Sequence, residues 1–220
     1  PAELGEDGHP AKGGFLPPVP LPRRMWAGGR LSFAKPLLLG QTVTKTSTIM
    51  GVKEKTGSTG KLVFVTVRHE LDAGAGVAIS EEQDLVYREA AINSLPMPIA
   101  APAPTVAWRE EVLPDPVLLF RYSALTMNGH RIHYDRPYAV GEEAYPALVV
   151  HGPLQATLLA AIAVRNLDAP VTGFDFRGQQ PAFDGVPLHV CGEPHESGAE
   201  VWTQQGEGRN MVATVRTGAL

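Results

Sequence analysis

The sequence predicts an α+β protein in which an antiparallel sheet curls around one long helix. Three observations support this fold class: a long helical pattern after Pro153, a short apolar segment before it, and four strand-like segments behind it. The chain has 220 residues, of which 44% are hydrophobic, so it can bury a sizeable core in one or two domains.

The helix after Pro153 is the strongest local pattern. Proline suits the first helical position because its missing N–H would have no partner there in any case. An apolar stripe at helical spacing is formed by Leu154, Leu158, Leu159, Ile162 and Leu167. Alanines, which favour helix, stand between these positions. So many small and apolar residues predict a helix that is buried on most sides.

The first half of the chain reads as sheet without a helix. Residues 1–22 are rich in glycine and proline, which predicts an extended surface segment. A hairpin loop is expected at 53–60, and the proline- and alanine-rich residues 90–104 read as a linker. Strands are predicted at 30–33, 42–52, 61–71 and 77–88.

The second half places a histidine-rich segment before the helix. A short apolar strand is predicted at 117–122, followed by a turn at Asn128-Gly129. A second apolar run, 147–150, leads into His151-Gly152 and the helix. After the helix, strands are predicted at 171–177, 188–192, 200–204 and 211–217.

Two features of this half carry chemistry. Gly152 stands at the helix start, where unpaired N–H groups and the positive end of the helix dipole can hold an oxygen that gains negative charge. His133 can exchange protons near neutral pH, and Asn128, five residues earlier across a glycine turn, can fold back beside it. A core histidine bonded to the backbone is the alternative interpretation of His133.

The run from Thr126 to His133, followed by Val149 to Gly152, resembles the hydratase and dehydratase branch of the hotdog fold. These are the MaoC-like proteins and the (R)-specific enoyl-CoA hydratases. Asn-Gly-His-Arg-Ile-His-Tyr-Asp, from Asn128 to Asp135, is similar to the double-hotdog subgroup of 3-hydroxyacyl-thioester dehydratases and itaconyl-CoA or mesaconyl-C4-CoA hydratases. The resemblance covers the chain from Phe15 onward.

The resemblance implies a double hotdog whose first half lacks its helix in this chain. The implied parts are a degenerate half at 1–90, a linker at 91–106, and a complete hotdog at 107–220 that carries the catalytic segment. Relatives have a strand and a helix ahead of the segment matched by Phe15 to Pro22, so the first half is expected to be incomplete upstream.

The resemblance also implies the reaction, which is reversible hydration of a 2-enoyl-CoA. Gly152 would hold the thioester oxygen, while His133 and Asn128 would hold and activate water. The broader family has aspartate at position 128, and an amide cannot act as a base, so the acid–base role shifts towards His133. If one histidine cannot serve both proton transfers, Asp135 or Glu143 must help.

The expected ligand is an acyl-CoA, with CoA as part of the substrate and no separate cofactor. A C4–C5 dicarboxylic acyl group such as mesaconyl or itaconyl fits the subgroup. Arg131, Arg136 and Arg165 are candidates for contacts to the CoA phosphates. A hotdog thioesterase and a non-catalytic acyl-thioester-binding domain are the alternatives. A homodimer through sheet edges is the expected assembly.

Other classes of function find little support. The net charge is −4 without a basic tract, which argues against nucleic acid. No apolar run reaches the roughly 18 residues of a membrane span. The single cysteine, Cys191, fits a reducing compartment, so the cytoplasm is expected, or the mitochondrial matrix in a eukaryote. His130, His133 and Asp135 offer side chains that can ligate a metal, but the sequence has no second cluster to complete the ligand set. No metal is therefore expected.

Overall fold

A computed structural model describes residues 3–57, 60–90 and 94–219. The protein is built on one sheet of nine antiparallel strands. These strands are β1 (Arg23–Phe33), β2 (Thr44–Gly57), β3 (Gly60–Asp72), β4 (Val77–Arg88), β5 (Trp108–Val112), β6 (Val171–Gly178), β7 (Leu188–His195), β8 (Gly198–Gln205) and β9 (Gly208–Thr217). The helices are α1 (Pro116–Thr126), α2 (Arg136–Gly141) and α3 (Gly152–Asn166), with a single 3-10 turn at Arg131–His133.

The strand order is β2-β3-β4-β1-β6-β9-β8-β7-β5. The first four strands therefore lie on one side of the sheet and the last five on the other. The two groups meet where β1 pairs with β6, from Gly28 opposite Arg177 to Ser32 opposite Gly173. Because β1 pairs with β6, the sheet is continuous across both halves of the chain. Its two edge strands are β2 and β5.

The predicted long helix is confirmed as α3, with Pro153 in its first turn. Leu159 and Ile162 are fully buried against strands of the second half, including Val190, Val201 and Val215. This cluster is the core of the second half. Burial of each such side chain contributes about 1.5–3 kcal/mol, so the apolar stripe fixes α3 on the concave face of these strands.

The strand predicted at 117–122 is wrong, because these residues lie within α1. Asp115 caps this helix, since its side chain accepts a hydrogen bond from the backbone N–H of Leu118 at 2.7 Å. Pro116 occupies the first turn, where proline is favoured. A six-residue segment of mostly apolar residues has no decisive period, so the capping Asp-Pro pair before it was the better signal.

Three of the first four strands extend beyond their predicted bounds, whereas β4 (Val77–Arg88) matches its predicted range. The loop predicted at 53–60 is largely wrong, since β2 continues through Gly57 and β3 begins at Gly60. β1 begins at Arg23, seven positions before the predicted start at Arg30. Residues 94–104 form no helix or strand and lie between β4 and β5. The division at 1–90, 91–106 and 107–220 stays a prediction, and residues 91–93 lie outside the described ranges.

The prediction that residues 1–22 run along the surface is wrong at two places. Val19 and Leu21 are buried in a cluster with strands β3 and β4. Further upstream, the backbone of Gly8 lies against that of Gly129, where a Cβ on Gly8 would stand 1.9 Å from the Gly129 carbonyl oxygen. This glycine contact brings the N-terminal segment to the histidine-rich segment.

None of the helices among the described residues is long and apolar enough to cross a membrane.

Candidate functional site

The histidine-rich segment is shaped by short-range hydrogen bonds. The side-chain oxygen of Asn128 accepts from the backbone N–H of His130 at 3.0 Å, which closes a turn. The 3-10 turn that follows buries Ile132 and His133. Asn128 is thus engaged with the backbone of His130, and its expected place beside the ring of His133 stays a prediction.

His133 has one ring nitrogen committed to the backbone. Its Nδ1 lies 2.7 Å from the carbonyl oxygen of Val149. Since a carbonyl can only accept, Nδ1 carries the proton and Nε2 keeps its lone pair. Burial lowers the pKa of His133 to about 4, the Val149 hydrogen bond opposes this shift, and the charge of His9 adds to it. The ring is therefore a neutral base at physiological pH.

His151 joins this ring to the start of α3. The rings of His133 and His151 stack with their centroids 3.7 Å apart and an angle of 19° between their planes. His151 caps α3 through its backbone, and its Nε2 lies 2.8 Å from the hydroxyl oxygen of Ser123 on α1. Burial lowers the pKa of His151 to about 3, with His133 contributing further. The ring of His133 thus lies directly against the residue that caps α3.

Gly152 presents a backbone donor at this helix start. Among the described residues, no acceptor faces its N–H, and the first intrahelical bond runs from Gln155 N–H to the carbonyl of His151. A Cβ on Gly152 would meet Trp26 of β1 at 3.4 Å, which is ordinary van der Waals contact. Nothing in the packing demands glycine here, whereas a ligand oxygen approaching the N–H would.

The two carboxylates proposed as helpers already have structural partners. Asp135 caps α2 by accepting from Tyr138 N–H at 3.2 Å, and it also pairs with Arg131 at 2.8 Å. Glu143 is buried and pairs with Arg23 at 2.6 Å. Burial raises the pKa of Glu143, although Arg23 opposes that shift. The structural partners of Asp135 and Glu143 explain why these carboxylates stand where they do, without a role for either in binding substrate.

The three arginines expected at CoA phosphates are each paired with a carboxylate. Arg131 contacts Asp135, Arg136 contacts Asp184, and Arg165 lies 2.6 Å from Glu110. Partly exposed ion pairs of this kind contribute little to stability and can exchange partners. Their contact with CoA stays a prediction.

Asp7 and His9 join the site from the N-terminal segment, and sequence reasoning missed both. His9 Nδ1 lies 3.1 Å from the Asp7 carboxylate, and the His9 ring lies 4.1 Å from that of His130. The His130 ring in turn meets His133 edge-on at 5.4 Å. The ligand atoms of Asp7, His9 and His130 lie within 4.8 Å of one another. Only the Asp-Gly-His spacing hinted at a turn here.

An apolar cavity of about 480 Å³ begins beside the start of α3. Pro153, Ala156 and Thr157 form its helical wall, and Trp26 and Phe176 face them from the sheet. Gly152 directly precedes Pro153, which lines this cavity. The first turn of α3 therefore borders apolar room for a ligand, and the stacked rings of His133 and His151 lie at the start of the same helix.

Comparison with known proteins agrees with this chemistry. The sequence profile of hydroxyacyl-thioester dehydratase type 2 matches residues 1–184. The chain belongs to this family. It is 46% identical over 219 residues to the mesaconyl-C(4)-CoA hydratase of Chloroflexus aurantiacus, covering 99% of this chain and 78% of that protein. It is 30% identical to the mitochondrial hydroxyacyl-thioester dehydratase type 2 of Schizosaccharomyces pombe, covering 86% and 72%.

Solved structures confirm the fold of this dehydratase-family chain. HtdX from Mycobacterium tuberculosis superposes with a TM-score of 0.68 at 19% identity, covering 88% of this chain and 76% of that one. A MaoC-like dehydratase gives 0.69 at 15% identity, covering 91% and 77%. A second M. tuberculosis protein with a double hotdog fold gives 0.54 at 14% identity, covering 90% and 75%. The predicted α+β double hotdog is confirmed.

Membership of the dehydratase family fixes the class of reaction. The chain is a hydro-lyase that interconverts 2-enoyl-CoA and 3-hydroxyacyl-CoA thioesters. The predicted enzyme class is therefore confirmed.

Proposed function

We propose that this hydratase acts on a 2-enoyl-CoA with a dicarboxylic acyl group of the mesaconyl-C4 type, with His133 as its general base. The hydrogen bond from His133 Nδ1 to the Val149 carbonyl carries this proposal. It leaves Nε2 as the basic atom and holds the ring beside the first turn of α3. The identity to a mesaconyl-C(4)-CoA hydratase supports the acyl group.

The addition step places charge at the start of α3. His133 Nε2 takes a proton from water while the water oxygen bonds to C3 of the enoyl group. The electrons of the C2=C3 bond move towards the thioester carbonyl, whose oxygen gains negative charge. The Gly152 N–H and the dipole of α3 stabilise this oxygen more strongly in the transition state than in the substrate, which lowers the barrier.

The second step returns the proton. The imidazolium of His133 donates the proton it took to C2, the thioester carbonyl re-forms, and the ring is neutral again. One imidazole thus completes the addition of water to a single face of the double bond. Asn128 holds the water through its amide, a role that needs no charge. No separate cofactor enters this scheme, because CoA arrives as part of the substrate.

The thioesterase alternative has less support from the site. It commonly needs a carboxylate near the thioester, and Asp135 and Glu143 are both held in ion pairs. A non-catalytic acyl-binding domain is set aside by the family's reaction. Assembly through the edge strands β2 and β5, a cytoplasmic location and the absence of a metal remain proposals of the sequence alone.

Spectrophotometric assays with crotonyl-, mesaconyl-C4- and itaconyl-CoA test the proposal. His133→Ala should abolish loss of the enoyl absorbance while the circular dichroism spectrum is kept. His195→Ala is the matched control, because His195 is an exposed histidine on β7. Near-normal turnover by His133→Ala would refute the assignment. Release of free CoA by the wild-type chain, measured with a thiol reagent, would favour a thioesterase instead.

A further inference from the structure

Arg24 on β1 is a buried arginine with an incomplete set of partners. Its side chain is only 7% exposed. One terminal nitrogen donates to the Pro10 carbonyl at 3.2 Å, and the Asp7 carboxylate lies 3.7 Å away, beyond direct hydrogen-bond distance. Within the described part of the chain, the buried Nε has no partner. A buried charged donor without an acceptor is destabilising, so such a residue calls for an explanation.

Arg30, on the same strand, shows what a satisfied guanidinium looks like here. Its Nε donates to Glu82 at 3.1 Å, and its terminal nitrogens donate to Asp84 at 2.6 and 3.2 Å. It is 45% exposed and serves as a surface ion pair. The more deeply buried of the two arginines is therefore the one with the unpaired donor, the reverse of what structural anchoring alone predicts.

Arg24 stands on the side of the site where the histidines lie. Asp7, its nearest carboxylate, hydrogen-bonds to His9, and the centroid of the His9 ring lies 4.1 Å from that of His130, with the rings tilted by 40°. His130 then meets His133 edge-on. The charge of Arg24 also reaches His130, whose pKa falls to about 2, mainly through burial and with Arg24 among the further causes.

The charges around Asp7 do not balance. Burial raises the pKa of the Asp7 carboxyl, but hydrogen bonds from His9 and the charges of His9 and Arg24 outweigh it and leave the pKa well below its usual range. Asp7 is therefore one negative charge, and it faces both Arg24 and Lys12. Glu143, farther along, is already neutralised by Arg23. Lys12 is exposed, and the Asp7 carboxylate stays 3.7 Å from Arg24, so the buried guanidinium keeps a donor for a further anion.

We propose that Arg24 binds the free carboxylate of an enoyl-CoA that carries this group on C3, and so sets the substrate class of the enzyme. The inference rests on the proposed hydratase function. In mesaconyl-C4-CoA the free carboxylate is bonded to the carbon that water attacks. Its negative charge repels the incoming oxygen, and a planar guanidinium is suited to pair with it. Arg24 is then a specificity-determining residue that borders the histidine-rich segment through Asp7 and His9.

The test compares two substrates that share the same CoA. Arg24→Gln should lower kcat/KM for mesaconyl-C4-CoA by roughly 10- to 100-fold, the usual size of a lost charge-assisted hydrogen bond. Hydration of crotonyl-CoA, which lacks the carboxylate, should stay within about 3-fold of wild type. Arg30→Gln is the matched control and should change neither rate.

Each other outcome overturns the proposal. An equal fall for both substrates would assign Arg24 to the CoA phosphates or to the fold. An unchanged rate with mesaconyl-C4-CoA would show that Arg24 does not touch the carboxylate. If the wild type is active only on crotonyl-CoA, the proposed substrate class is refuted but the hydratase function is retained. If it is inactive on all enoyl thioesters, the proposed function itself is refuted. If Arg24→Gln does not fold, Arg24→Lys, which keeps the charge but lacks the planar pair of donors, should lower kcat/KM for mesaconyl-C4-CoA more than for crotonyl-CoA, and an equal effect on both would overturn the proposal.

Discussion

His133 and His151 lie face to face, with ring centroids 3.7 Å apart, although 18 positions separate them in the chain. Each ring is anchored by a different element, one through the Val149 carbonyl and the other through Ser123 on α1. Two imidazolium cations at this distance would repel each other strongly. Burial already lowers the pKa of both rings, so both are neutral at physiological pH, and several measurable properties depend on this.

The free energy of unfolding should fall as pH drops below about 6.5. Burial lowers the pKa of His130, His133 and His151 to about 2, 4 and 3 from a usual 6.5. The unfolded chain therefore binds more protons across this range, so stability is full above pH 6.5 and is lost as pH falls towards the folded values. Each histidine contributes about 1.4 kcal/mol per pH unit.

Urea denaturation at pH 7.5, 6.0 and 5.0 checks this dependence. The midpoint should move steadily to lower urea. Replacing the exposed His195 by alanine should leave the slope with pH unchanged. A midpoint that is constant over this range would mean that the three rings gain protons as readily folded as unfolded.

The pH profile of kcat/KM should lack a step near 6.5. Since the pKa of His133 is held at about 4, mainly by burial, the base stays unprotonated well below neutral pH. The rate should stay level from pH 8 to about 5.5 and fall only where the base or the fold titrates. Initial rates with crotonyl-CoA, with circular dichroism at each pH, measure this. A half-loss of rate at pH 6.5 in folded protein would contradict it.

Gly152→Ala should fold but react slowly. The added methyl would stand 3.4 Å from Trp26 and 3.8 Å from Met211, so packing tolerates it, and the melting temperature should change by no more than a few degrees. The methyl crowds the space in front of the backbone donor, and loss of one such donor costs about 100- to 1000-fold in kcat.

Ala161→Ser offers a comparison for that variant, because it adds one atom to the same helix nine positions away, outside the lining of the cavity. It should leave kcat near wild type. Full activity in Gly152→Ala would remove the helix start from the mechanism.

Asn128→Asp should retain activity, whereas Asn128→Ala should lose it. Aspartate keeps the oxygen that accepts from His130 N–H at 3.0 Å, so the turn survives. A methyl group cannot accept, which leaves that donor without a partner and loosens the segment that carries His133. Steady-state rates of both variants decide the point. Inactivity of a folded Asn128→Asp would show that the amide N–H₂ itself is needed.

The sequence predicted α3 and the strands behind it because their periodic patterns are long enough to be unambiguous. Leu159 and Ile162 repeat at helical spacing, and the structure buries both completely. The run at 117–122 was misassigned because a short apolar segment fits helix and strand equally well, and only the Asp115 cap separates them.

The predicted site residues were local in sequence, and the missed ones were not. His133 and Gly152 lie close because 147–150 leads from one to the other, which a reader of the sequence can foresee. Arg24, Asp7 and His9 reach the same region from over a hundred residues away. No spacing rule links them to His130, since Asp7 and His9 are brought there by the long-range contact between Gly8 and Gly129.

The contact between Gly8 and Gly129 makes two segments that are distant in the sequence depend on each other. A side chain on either residue would collide with the backbone of the other. A Cβ on Gly8 would lie 1.9 Å from the Gly129 carbonyl oxygen, and a Cβ on Gly129 would lie 2.5 Å from the Gly8 carbonyl oxygen. Gly8 also has a φ of 82°, which disfavours any other residue. Substitution of either glycine would separate the two segments and move Asp7 and His9 away from the rings of His130, His133 and His151. Natural variation should therefore spare both glycines, even where the loops around them diverge.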